Sequence, residues 1–148
     1  YNHFEEKIQG SSLPDIGMHW DEYECEPMSS TVHTVLEFMQ QHRHRTPVVF
    51  ENEYWYHQKL AQRTIGKIDD LSKDDLLIIS VPFYSNFKNH PSIDDILSRC
   101  TELGIPVVLD LIWLPLTKEV IKLAHTDCVE VVTHSICTHT RNRSDMRL

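Results

Sequence analysis

The chain has 148 residues, a hydrophobic share of 41%, and 22 acidic against 14 basic side chains, for a net charge of −8. That length suits one domain with a real core. The acidic balance argues against a nucleic-acid partner, which favours a clustered basic surface, and no apolar run approaches the roughly 20 residues of a membrane span.

Cys25, Cys100, Cys128 and Cys137 are scattered and form no Cys-x-x-Cys pair. They read as reduced, mostly buried thiols of a cytoplasmic protein. The first ten residues are polar and acidic, unlike a signal peptide. Arg141, Arg143 and Arg147 make a local basic tail that reads as solvated.

Residues 1–28 show no sustained period and read as an extended arm with at most one short helix, suited to packing on a neighbouring subunit. A regular α/β domain is expected over residues 29–148. Ser29 or Ser30 caps a helix with Val32, Val35, Leu36 and Met39 on one face. Pro47 to Phe50 reads as a strand, Glu53 to Ile65 as a helix broken at Gly66, and Leu76 to Val81 as a second strand. Ser92 with Asp95 resembles a capping box. Ile93, Ile96, Leu97 and Cys100 follow as a buried face, and Gly104 ends the helix. Val107 to Ile112 is a third strand, Thr117 to Ala124 a short helix, and Cys128 to Thr133 a fourth strand. Strands alternating with helices imply a three-layer α/β fold: a mostly parallel sheet with flanking helices.

Gly-x-Gly-x-x-Gly, Gly-x-x-x-x-Gly-Lys and Gly-x-Ser-x-Gly are all absent, which argues against dinucleotide, P-loop and α/β-hydrolase chemistry. His134, Cys137 and His139 offer metal-ligand types, but their spacing matches no standard motif. A metal-dependent enzyme is therefore a weaker alternative, and no metal site is assigned.

The strand ends carry the chemistry. Asp110 closes an unbroken apolar run, where a carboxylate is costly to desolvate without a partner. Residues 51–56, 80–86, 110–113 and 134–135 all fall at carboxyl strand ends, which converge on one crevice in open α/β sheets. Trp55 and Trp113 either line that crevice or cover the sheet edge. Asp110 either faces it or bonds locally to backbone.

The order of these features resembles the large domain of fold-type I pyridoxal-phosphate (PLP) enzymes, the aminotransferase family. The resemblance runs from Ser29 to Leu148 and is densest from Ser92 to Asp110, with Leu103-Gly104-Ile105-Pro106 as its turn. It implies that Ser30 and Thr31 at a helix N-terminus hold the cofactor phosphate and that Trp55 stacks on the ring. Asp110 would pair with the pyridine nitrogen. Trp113 and Ser135 would add contacts, Arg147 would reach the phosphate, and Asn86 would stand in for the family's asparagine. Thr138 falls where the family has its Schiff-base lysine, and Cys137 replaces the family's second serine. The resemblance thus implies a partial, degenerate large domain that binds PLP or a similar aromatic phosphate, with no catalytic residue assigned. The alternative is a non-catalytic scaffold. A homodimer and a small-molecule ligand are the implied partners. The first residue is not Met and the chain is short for the family, so it reads as a fragment or a minimal relative.

Overall fold

The computed structural model describes residues 13–134 and 137–142. Among the described residues seven strands form one sheet: β1 (Tyr23–Pro27), β2 (Thr46–Phe50), β3 (Arg63–Ile65), β4 (Asp75–Ser80), β5 (Val107–Asp110), β6 (Val129–His134) and β7 (Cys137–Arg141). Their order is β1-β7-β6-β5-β4-β2-β3. Neighbours from β6 through to β3 run parallel, while β7 is antiparallel to both β6 and β1.

β4 and β5 are buried at every position, as expected of central parallel strands covered on both faces. The period of two sends alternate residues to two cores. Leu77, Ile79, Val107, Leu109 and Val132 meet α3 (Ile93–Leu103) on one face. Leu76, Ile78, Val108 and Val131 meet Val35 and Phe38 of α1 (Thr31–Gln41) on the other. α2 (Trp55–Leu60) lies on the α1 face, where Leu60 packs on the same core. The result is three layers.

Local signals explain the helix ends. Ser30 Oγ accepts from His33 N at 3.1 Å and caps α1, a contact worth about 1 kcal/mol. Gly104 ends α3 at φ 69°, where the left-handed backbone is the only constraint, because a Cβ there would meet nothing within 4 Å. Ser92 precedes α3 without the expected side-chain cap. Its own N–H instead donates to His90 Nδ1. Leu36 is 45% exposed, so the helix is rotated from the expected face and Thr34 takes the inner position.

Three expectations change. The helix expected over Glu53–Ile65 is only six residues long. The β-branched Thr64-Ile65 that follows pairs with β2 as strand β3. Thr117–Ala124 is not helical: Ile121 and Leu123 are buried while their neighbours are exposed, a period of two, and Leu123 N donates to Ile16 O. The helical turn falls earlier, at Leu114–Leu116. Within residues 1–28, Trp20–Glu22 is a 3-10 turn and Tyr23–Pro27 is an edge strand of the main sheet rather than a separate arm.

Arg141 fastens that edge. Its guanidinium donates to Tyr23 Oη at 2.7 Å, Thr126 O at 2.8 Å and Val129 O at 3.0 Å, and it pairs with Glu22. Among the described residues no helix is long and apolar enough to cross a membrane.

Candidate functional site

Ser80 and Asp110 end β4 and β5, and Thr133 stands one residue from the end of β6; the three are in register, Ser80 opposite Asp110 and Asp110 opposite Thr133. All three are buried and share the α1 face. Asp110, only 2% exposed, uses its two oxygens differently. Oδ1 accepts from Thr133 Oγ1 at 2.7 Å and Ile112 N at 3.1 Å. Oδ2 faces His57 Nε2 at 3.5 Å. On the far side of the imidazole, Nδ1 lies 3.6 Å from Glu53 Oε1. Glu53 in turn accepts from Tyr54 N at 2.8 Å and from Ser80 N at 2.9 Å, tying the start of α2 to the end of β4.

A buried His therefore stands between two buried carboxylates. Burial pushes the Asp110 carboxyl above its usual range, while His57, the Thr133 hydroxyl and the Ile112 N–H pull the other way. Among the described residues neither nitrogen of His57 finds a hydrogen-bond partner, and Ser80 Oγ, Trp113 Nε1 and Thr31 Oγ1 are likewise buried without one. Such orphaned groups are uncommon in a native interior.

Aromatic rings roof this edge. Tyr54 packs edge-on against His57 (5.3 Å), Tyr84 (5.2 Å) and Trp113 (5.7 Å), and Phe87 completes the group. Trp113 thus packs within this aromatic group. Trp55 is instead 50% exposed, with the Lys59 ammonium 4.8 Å from its ring centre. Its neighbour Tyr54 holds the inner place, because the short helix turns residues 54 and 57 to one side.

The remaining candidates divide. Thr31 lies at the N-terminus of α1, and pairing of Pro27 with Cys137 and of Cys137 with His134 puts that N-terminus at the carboxyl edge of the sheet. The Ser30 hydroxyl is already used as the α1 cap. Ser135 and Arg147 lie outside the described residues. Asn86 Oδ1 accepts from Lys88 N in a local turn. Thr138 sits opposite Thr133 and donates to Val132 O. His57, Glu53, Tyr54, Ser80 and Thr133 were not singled out as site residues. The strand-end segments 51–56 and 80–86 contain Glu53, Tyr54 and Ser80, whereas nothing in the local pattern marks Thr133 or the buried His57.

No protein-family model matches the chain, and no curated protein matches its sequence. Solved structures do match it in fold. A protein assigned as a PLP-dependent beta-cystathionase from Corynebacterium diphtheriae superposes with a TM-score of 0.59 at 12% identity, covering 99% of this chain and 54% of that one. The PLP-bound C-S lyase from Staphylococcus hominis gives 0.55 at 11% identity, covering 99% and 52%. Alanine aminotransferase from Pyrococcus furiosus gives 0.54 at 14% identity, covering 82% and 40%. The fold is thus α/β with a mostly parallel sheet, like part of the large domain of PLP-dependent transferases and lyases. The chain spans about half the length of the structures it matches.

Proposed function

We propose that this is an aminotransferase-like domain that binds PLP or a similar aromatic phosphate at Asp110 without a Schiff-base lysine. The observation that carries the reading is the buried Asp110, held through one oxygen by Thr133 and Ile112 and turned through the other toward His57. The residues fit such a group without a covalent link. Among the described residues Asp110 Oδ2 faces His57 Nε2 at 3.5 Å, longer than a good hydrogen bond, and suits a protonated ring nitrogen. Tyr54 and Trp113 supply ring surface, and the unpartnered Thr31 hydroxyl at a helix N-terminus suits an anion. Bound PLP supplies an electron-withdrawing ring. The protein's share is to bind that ring, orient it against the aromatics and hold a proton at its nitrogen through Asp110. With Thr138 at the lysine position, no amine from that strand reaches the site.

Titration with PLP, followed by equilibrium dialysis and absorbance, tests this. Saturable binding is expected, weakened in Asp110→Ala and in Thr31→Ala, with no lysine-linked adduct after borohydride reduction and peptide mass analysis. Absence of saturable binding overturns the proposal. It would leave the non-catalytic scaffold, a reading favoured by how fully the protein itself encloses Asp110.

A further inference from the structure

On the opposite face of the sheet, Cys25 and His139 are direct partners across the β1–β7 pair, and Cys137 stands two residues from His139 on the same face. The two sulfurs and a ring nitrogen all lie within 4.8 Å of one another. Cys137 Sγ is 3.5 Å from His139 Nε2. For tetrahedral zinc, bonds of 2.3 Å to sulfur and 2.0–2.1 Å to nitrogen require ligand separations of roughly 3.4 to 3.8 Å, so this pair already stands at a coordinating distance.

We propose that Cys25, Cys137 and His139 bind one zinc ion, with its fourth position open to solvent. The donor set is soft sulfur and imidazole with no carboxylate, which selects zinc over magnesium or calcium. His139 and Cys137 are buried while Cys25 is exposed on the edge strand, so the ion enters from the Cys25 side. The Trp20 ring packs against the His139 imidazole at 5.0 Å and holds it in place. Binding exchanges two thiol protons for the metal: both S–H bonds break, two protons go to solvent, two Zn–S bonds form, and no oxidation state changes. The Cys137 thiol thereby gives up its contact with His134 O. His134, on the same face opposite Cys137, is not needed as a ligand. The long-range pairing of β1 with β7 supplies Cys25, which residue spacing could not reveal. The site shares no residue with the Asp110 site, so the two proposals stand or fall separately.

The test is cobalt titration of the full chain, reduced and freed of metal, followed by competition with zinc. Expected are one cobalt per chain, a thiolate-to-cobalt charge-transfer band with the intense visible bands of a tetrahedral site, and displacement by zinc. Cys25→Ser should lose most of the charge-transfer intensity, and its exposed position leaves the fold intact by circular dichroism. His139→Gln should weaken binding by at least the roughly tenfold that loss of an outer-shell partner costs. Cys128→Ala, which removes a distant thiol, should bind as the parent does. Substoichiometric cobalt overturns the proposal. So does a spectrum unchanged in Cys25→Ser, or a Cys25–Cys137 disulfide that persists when zinc is present during reduction.

Discussion

Replacing His57 by Leu isolates the electrostatics of the buried acid–imidazole–acid row. Leu nearly conserves the ring's volume, so little cavity forms. It removes both nitrogens that face Asp110 Oδ2 at 3.5 Å and Glu53 Oε1 at 3.6 Å, where all three side chains are at most 2% exposed. Removing the imidazole leaves two buried carboxyl groups facing an apolar side chain, and an unsatisfied buried polar group costs about 1–3 kcal/mol, so about 2–6 kcal/mol for the two. Here the lower half of that range applies. Glu53 keeps two backbone N–H donors, and Asp110 keeps Thr133 Oγ1 and Ile112 N. A loss of about 3 kcal/mol lowers Tm by roughly 6–12 °C in a domain of this size. Urea unfolding should show the loss as a lower midpoint at unchanged slope. The double variant His57→Leu with Asp110→Asn should recover more than half of it, because the orphaned carboxyl group is gone. A single-variant loss under about 1 kcal/mol, the usual scale of an exposed ion pair, would refute the reasoning. Failure of the double variant to recover would refute it too.

Asp110→Asn alone has a pH signature. Folding raises the proton affinity of this carboxyl, so the folded state binds more protons than the unfolded one, and stability falls as pH rises past the ordinary range of about 4. The Asn variant lacks that term. Its stability relative to the parent should climb from about pH 3 toward neutrality, read from urea midpoints across pH; a relative decline would contradict the shift. Gly17→Ala should destabilise more than Gly104→Ala. Both have positive φ, 88° and 69°, but a Cβ at Gly17 would overlap the Leu123 carbonyl, whereas at Gly104 it meets open space. Gly104→Ala should cost about 1–2 kcal/mol from backbone strain alone, and equal midpoints would refute the steric argument.

The parallel core was legible because its physics is local. Unbroken apolar runs mark β4 and β5, and the Ser30 and Gly104 signals bound two of the helices. What escaped depends on distant partners. Arg63–Ile65 is too short to read as a strand without β2 beside it. Ile121 and Leu123 alternate like a strand because they pack into the core beside Ile16, a distant partner that local periodicity cannot see. β7 is a polar segment, Cys-Thr-His-Thr-Arg, that pairs only because β6 and β1 flank it. Asp110 stood out by being the wrong residue for its run. His57 did not, since a histidine on a short amphipathic helix looks like any solvated one until the fold sets it between two acids.

The Arg141 clasp has a consequence for how the chain assembles. It joins residues 118 positions apart, and contacts of such long sequence separation form late because loop closure must come first. The parallel centre can associate from segments that follow one another closely, but β1 has no strand to pair with until β7 is in place. In the interval β7 presents an open row of backbone donors and acceptors, the kind of edge on which other chains add strands. The speed with which β1 returns to that edge therefore governs how far a folding chain is exposed to aggregation.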